Sequence, residues 1–446
     1  MQTLTDAINT LKKTIIGKVI TPGDPDYDDV SAILIKKGSP AVVVRAANNQ
    51  DVAAAVTFAK ENNLVLSVRT GGHSNAGHST NDGGLVIDMR DIKSVEVIDT
   101  AKHIVRIGGG ALWVDVAHAL ESHGLAISSG DTKTVGVGGL ALAGGVGWMV
   151  RKLGLTLDHV QAVELITAEG EVVRASATEN AELFWGLRGG GGNFGVATSF
   201  DIQAHPCGDI YKGTITYGYE AIEHIITGWR DTMRSAPEEL TTMLVTVPSN
   251  PAFGNMPDAI HIMFCYAGDD ESAASRAIAP LLALGEPVQH TLQRAPYADM
   301  LEDAHAPHGI RIVVKNAFFN ELSEDVIAAI IANKSHIMQI RSVGGAMNRV
   351  ASDATAFAHR ASEALIVAPV FLPPNATDAD VAAALEPWHR LASHSNGAYV
   401  SFFSESTPEE IHTAYPAETY SRLAALKKQY DPGNLFSQNF NIPPEA

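Results

Sequence analysis

Cysteine, basic residues and long apolar runs are all scarce in this chain. Only Cys207 and Cys265 occur in 446 residues. Two thiols make no disulfide framework, and both read as buried free cysteines. The 32 Lys and Arg face 50 Asp and Glu, a net charge of −18. That balance argues against nucleic acid, which is held mainly through Lys and Arg. No uninterrupted apolar run reaches about 18 residues, so no membrane span is expected. The start, Met1 to Asp6, lacks the basic and apolar regions of a secretory signal, so the expected location is the cytoplasm. Several catalytic signatures are missing too. There is no Gly-x-Ser-x-Gly elbow for a serine hydrolase, and no glycine-rich loop ends in Lys-Ser/Thr as in nucleotide hydrolases. Gly108-Gly109-Gly110-Ala111-Leu112-Trp113 comes nearest to a Rossmann fingerprint and lacks its spacing. His305 and His308 would share a helix face, but Pro307 between them breaks a regular helix. His205 is remote in sequence, so no metal site is expected.

Glycine, by contrast, is concentrated in the first 200 residues. The apolar run Leu64-Val65-Leu66-Ser67-Val68 reads as a buried strand. It leads into Arg69-Thr70-Gly71-Gly72-His73-Ser74-Asn75-Ala76-Gly77-His78-Ser79. Small residues let backbone N–H groups converge on an anion, and glycine tolerates the positive φ such a turn needs. An anion cradle has no need of a histidine unless the ring meets the rest of the ligand. A flavin dinucleotide satisfies both, with its pyrophosphate in the loop and its isoalloxazine at His73. A second tract, Gly130 to Gly147, holds seven glycines in eighteen positions, which neither a helix nor a central strand needs. A flat ligand packed against main chain would account for it. Arg188-Gly189-Gly190-Gly191-Gly192-Asn193-Phe194-Gly195, followed by Val196, is a third such loop.

Residues 1–35 read as a short helix and a loop. From Ala41 to about 205, strands alternate with helices, among them Gln50 to Lys60 with Asn49 as its N-cap and Val114 to Ser122 closed by Gly124. This places a cofactor domain at 1–206. Glycine density then falls, and strand-like runs alternate with amphipathic helices such as Ser323 to Ala332, giving a substrate domain at 207–403. The segment 404–446 carries a helix, Pro416 to Gln429, stopped by Asp431-Pro432-Gly433.

These motifs resemble the vanillyl-alcohol oxidase and berberine-bridge-enzyme family of FAD-linked oxidases, in its bacterial, soluble branch. The matching stretches are Arg69 to His73, Thr134-Val135-Gly136-Val137-Gly138-Gly139, Gly144-Gly145-Val146-Gly147-Trp148, Glu182 to Gly190, Tyr430 to Phe436, and Asn439-Phe440-Asn441. The resemblance implies an α+β fold. A two-part FAD-binding domain would carry an antiparallel-sheet substrate domain, with the C-terminal segment returning to the cofactor. It implies a covalent bond from His73 to the flavin, chemically reasonable because neutral imidazole is a nucleophile near neutral pH. Many relatives add a second bond from a cysteine where this chain has Thr132. Threonine cannot replace a thiolate, so one covalent bond is expected. Cofactor contacts are expected from Arg69, Thr70, Gly71, Gly72, His73, Ser74, Asn75, Gly77, His78, Ser79, Gly130, Thr132, Thr134, Val135, Gly138, Gly139, Gly144, Gly145, Gly147, Val196, Asn439 and Asn441. Val135 is the position that the resemblance associates with access of O₂ to the flavin.

On the substrate side, Gln339-Ile340-Arg341-Ser342-Val343 reads as a strand entering the Gly344-Gly345 turn, with Gln339 and Arg341 on one face. Many relatives carry a glutamate at the first position. Gln339 cannot accept a proton, and Arg341 would favour a carboxylate, phenolate or enolate through a bidentate contact. Tyr399, on a strand Gly397 to Phe403, is the candidate base. The family's Tyr-x-Asn is here Tyr399-x-Ser401. A tyrosine of ordinary pKa about 10 would need lowering, which Arg341 would provide. Lys315 is a second-rank candidate. The resulting expectation is an FAD-dependent oxidase. A base removes a proton from a small organic substrate (an alcohol, sugar, amine or phenolic or carbon acid), hydride passes to flavin N5, and O₂ reoxidises the flavin to give H₂O₂. A dehydrogenase of the same fold with another acceptor, and a flavin-holding protein without turnover, are the alternatives.

Overall fold

The computed structural model describes residues 3–249, 257–304 and 309–444. His305, Pro307 and His308 lie outside these. Three larger sheets and one two-stranded pair organise the described residues. The first has four strands in the order Lys18–Ile20, Val42–Arg45, Leu85–Asp88, Leu66–Arg69. The last three run parallel, which requires the crossover that the helix Asn49–Glu61 supplies. Their side chains are almost wholly buried, as expected for parallel strands covered on both faces. The N-terminal region therefore holds a strand, paired antiparallel to Val43–Arg45, where only a helix and a loop were expected. Lys18-Val19-Ile20 is too short for its pattern to stand out. Asn48, rather than Asn49, caps the following helix, its side chain accepting from Asp51 N–H.

The second sheet is five-stranded and antiparallel, in the order Val95–Asp99, Ile104–Gly108, Val196–Gln203, Val160–Ile166, Val172–Ser176. The third, of eight antiparallel strands, is built between Ile210 and Leu372. Its side chains alternate between two cores. On the strand Arg311–Phe319, Ala317 and Phe319 enter a core with the helices Ile222–Ser235, Glu271–Leu282, Glu324–Ala332 and Asp378–Ala392. Phe318 turns the other way, into a core shared with Trp113, Leu142, Val146 and Tyr399. One face of this sheet is therefore packed on helices and the other on the glycine-rich half of the molecule. On the strand Met338–Ser342, Met338 and Ile340 take the helix side, which sends Gln339 and Arg341 to the opposite face.

The tail is fixed by a fully buried ion pair. Lys427 Nζ donates to Asp431 Oδ2 at 2.7 Å, to Asn193 O at 2.8 Å and to Phe436 O at 2.8 Å. Asp431 in turn accepts from the N–H groups of Leu435 and Phe436. Every charged atom is satisfied, the condition under which a buried pair holds structure together. Through Asn193 it joins the helix Ala417–Tyr430 to the third glycine loop.

Candidate active site

The three glycine loops meet. A Cβ on Gly71 would lie 2.3 Å from Thr134 O and 2.4 Å from Gly136 N; one on Gly136 would lie 2.3 Å from Thr70 Oγ1. Backbone thus touches backbone where the first two loops cross, and only glycine fits. In the second tract the chain does form a helix, Val137–Ala143, contrary to the reading of the tract as irregular. Gly138 sits in it because a Cβ there would be 2.9 Å from Gly109 O. The helix accepts glycine so that its backbone can approach a neighbouring strand end. The third loop is held to the tail: Asn439 Nδ2 donates to Gly192 O at 3.1 Å, and Ile442 N–H to Asn193 Oδ1 at 3.0 Å.

In the first loop Gly72 and Gly77 take φ of +73° and +79°, where glycine is favoured. Gly77 N–H donates to Ser74 O and His78 N–H to Ser74 Oγ. The N–H groups of His73, Ser74, Asn75 and Ala76 have no acceptor among the described residues. His73 Nε2 lies 2.8 Å from Thr134 Oγ1, leaving its Nδ1 uncommitted. Burial pushes the His73 pKa down, with Asp131 opposing, so the ring is neutral at pH 7. His78 is pushed down to about 4, by burial first and then by Lys36. Its ring meets Phe440 edge-on at 5.0 Å, and its Nε2 is 3.3 Å from Ser406 Oγ. Arg69 turns aside, donating to Asp29 O and Val30 O, and Val196 is packed in the core.

Tyr399 is buried. Its hydroxyl accepts from Gly145 N–H at 2.8 Å, and its ring lies over Gly144, where a Cβ would come within 2.7 Å of Cε2. The segment expected to be a strand is instead a 3₁₀ turn, Val400–Phe402, with Tyr399 at its start. Asn316 replaces the ladder. Its Oδ1 accepts from Tyr399 N–H at 2.7 Å, and its Nδ2 donates to Tyr399 O at 3.1 Å. This clamp was not foreseen, since side chain-to-backbone pairing leaves no periodic signal. Lys315, beside it, is taken up by Glu405 at 2.9 Å and Glu410 at 2.6 Å.

Gln339 and Arg341 do share a face and touch: Arg341 Nη2 donates to Gln339 Oε1 at 2.7 Å. Arg341 already has a counter-charge, however, although its buried Nε has no partner. Its Nη1 pairs with Asp131 Oδ2 at 2.6 Å, and its guanidinium lies 5.0 Å from the Phe402 ring centre. Phe402 meets Tyr399 edge-on at 5.3 Å. Asp131 was overlooked because its partner is 210 residues away. Arg341 holds the Asp131 carboxyl below its ordinary pKa in spite of burial, and Thr132 Oγ1 donates to it at 2.9 Å. Nor is Tyr399 lowered. Burial, with a smaller contribution from Asp131, raises it above 10 despite Gly145 N–H, Ser401 and Arg341 acting the other way.

The residues present fit a flavin dinucleotide. The first loop offers uncommitted backbone donors. The buried Oδ1 atoms of Asn439 and Asn441 have no partner, the kind of orphan that a bound group satisfies. Among the described residues no cluster of three metal-ligating side chains forms, and no helix is long and apolar enough to cross a membrane.

Comparison with known proteins agrees. Residues 40–176 match the FAD binding domain family, and residues 398–443 the family termed berberine and berberine like. The chain is 32% identical to (R)-6-hydroxynicotine oxidase of Paenarthrobacter nicotinovorans over 97% of this chain and 98% of that one. It is 30% identical to an FAD-linked oxidoreductase of Dictyostelium discoideum, over 99% and 97%. Among solved structures, 6-hydroxy-D-nicotine oxidase of Arthrobacter nicotinovorans superimposes with a TM-score of 0.86 at 29% identity, covering 97% of this chain and 98% of that one. The glucooligosaccharide oxidase of Acremonium strictum, which carries a 6-S-cysteinyl, 8α-N1-histidyl FAD, shares the fold at 22% identity and a TM-score of 0.85, over 99% and 100%. The chain is an FAD-dependent oxidoreductase and belongs to the vanillyl-alcohol oxidase and berberine-bridge-enzyme family.

Proposed function

We propose that this protein is an oxidase, with FAD bonded to His73 alone, acting on a small organic substrate through Tyr399. When bound, FAD takes up the hydride and passes its electrons to O₂, giving H₂O₂. The observation that carries the reading is the Tyr399 hydroxyl, held 2.8 Å from Gly145 N in the second glycine tract. It sets a proton-transferring group against the main chain that a flavin ring would face. The N–H of Gly145 and the Asn316 clamp fix this oxygen, which, once ionised to the phenolate, takes the substrate's proton and becomes the neutral phenol. Neutral His73, its Nε2 held by Thr134, offers Nδ1 as the nucleophile for the covalent bond. Thr132 offers no thiolate for a second, and its hydroxyl is engaged by Asp131.

The Asp131–Arg341 pair changes the expectation for substrate. A guanidinium already matched by a carboxylate attracts no further anion strongly, so the polar wall formed by Arg341, Gln339 and Asp131 suits a neutral, hydrogen-bonding substrate. The test is to reduce the holoenzyme anaerobically with a panel of neutral and anionic alcohols, sugars, amines and phenols, then admit air. The expected result is reduction by a neutral compound, with reoxidation in air releasing one H₂O₂ per flavin. A reduced flavin that survives air and yields only to a quinone acceptor would make the protein a dehydrogenase.

A further inference from the structure

At the end of the strand Met338–Ser342, between the helix Ile222–Ser235 and the segment carrying Arg151, is a cavity of about 290 Å³ lined by Arg151, Trp229, Met233, Glu238, Val343 and Asn348 among others. That is close to the lower end of small-molecule sites, about 300–1,000 Å³. Arg151 is 8% exposed. Its Nη1 and Nη2 donate to the carbonyls of Val343 and Ala236, its Nε has no partner, and no carboxylate among the described residues lies within ion-pair distance. Arg230, Arg234 and Arg349 around it each have a carboxylate of their own. A buried cation whose direct partners are neutral carbonyls, with Glu238 acting on it only from a distance, is poorly compensated, which proteins rarely keep.

The space beside it is left open by glycine. Gly344, at φ +106°, follows the strand carrying Gln339 and Arg341. A Cβ placed on it would have Arg151 Nη1 at 3.8 Å, Asn348 Nδ2 at 3.9 Å and Asn348 Oδ1 at 4.0 Å as its nearest neighbours. Each of these nitrogens gives one N–H to a carbonyl, Arg151 to Val343 and Asn348 to Ser362, and keeps a second. Two donors, one charged, therefore converge on an open point, and Trp229, Met233 and Val343 supply an apolar wall beyond.

We propose that this cavity binds a small organic carboxylate, its oxygens received by Arg151 and Asn348 and its apolar body lying against Trp229, Met233 and Val343. Burial holds the Arg151 pKa down, with Glu238 opposing, in keeping with a cation that has no directly paired carboxylate. The apolar wall selects an organic acid over inorganic phosphate. None of His73, Asp131, Gln339, Arg341 and Tyr399 lines the site, and it does not depend on the proposed oxidase reaction.

Benzoate serves as the probe, with benzamide as its neutral counterpart and inorganic phosphate as the bare anion, titrated calorimetrically into the flavin-loaded protein at fixed ionic strength. Because Arg151→Met also removes two hydrogen bonds from the fold, the charge is tested from the rim. Asn348 is exposed, and Asn348→Asp places a carboxylate beside the guanidinium. Benzoate is expected to bind, phosphate more weakly and benzamide not at all. Asn348→Asp should weaken benzoate at least about tenfold, and Glu238→Gln, which removes a nearby negative charge, should tighten it about threefold. The flavin absorbance should not change. Equal binding of benzoate and benzamide, no benzoate binding, full affinity in Asn348→Asp, or a benzoate-induced change in the flavin spectrum would each overturn the assignment.

Discussion

Tyr399 shows how one residue's environment redirects its chemistry. From sequence, Arg341 is the group that would lower the tyrosine. In the fold Arg341 is paired with Asp131 at 2.6 Å, and burial raises Tyr399 above its ordinary value of 10. If Tyr399 is the base, activity rises with pH as the phenol ionises, and the raised pKa sets that limb on the alkaline side. Asp131→Asn removes a carboxylate that raises Tyr399 and frees the Arg341 charge that lowers it. The limb of the kcat/KM profile should then move to lower pH, and anionic substrates should gain affinity relative to neutral ones. A limb that stays in place would separate Asp131 from the titration. Tyr399→Phe should slow flavin reduction by about 10²–10⁴-fold with flavin content unchanged, the usual worth of a general base. Reduction at the wild-type rate would remove Tyr399 from the reaction. The same-face placement of Gln339 and Arg341 was legible, because period 2 in a strand dictates it. The partner at Asp131 was not, since no local pattern couples positions 210 apart.

Among elements, the glycine loops were the most legible feature and their conformations the least. Composition pointed to backbone packed closely against something. It did not reveal that the first two loops pack on each other, nor that part of the second is helical. Gly71→Ala tests this directly, because its Cβ would meet the backbone at Thr134 and Gly136, neither of which is a movable side chain. Overpacking of this kind costs about 1–3 kcal/mol. The expected outcome is a lowered melting temperature together with reduced flavin content, whereas Gly192→Ala should affect flavin content little, its Cβ having nothing within 4 Å. The Tyr399 segment reads as a strand because Tyr-Val-Ser-Phe-Phe favours one. A buried asparagine on the neighbouring strand takes its backbone bonds instead, a tertiary effect that propensity does not register.

At the scale of the molecule, the acidic chain is held together by buried polar joints between its parts. His205, paired with Ala126 across a short two-stranded sheet, lies 2.8 Å from His159. Burial first, then the neighbouring His159, depresses the His205 pKa to about 4, from 6.5. Between those values the unfolded chain binds a proton that the folded chain refuses. Stability should therefore be full above about pH 6.5, fall as pH drops towards 4, and change no further from this source below that. Denaturant titrations at pH 7 and pH 5 should show the loss in the wild type and a smaller one in His205→Asn; equal losses would place the acid sensitivity elsewhere. The proposed covalent joint is the one between protein and cofactor, at His73. It is tested most directly by the absorbance of acid-precipitated protein. The wild-type pellet is expected to keep its yellow flavin, and His73→Ala to release all of it to the supernatant. A wild-type pellet without flavin, or a His73→Ala pellet that retains it, would contradict a single covalent bond at His73.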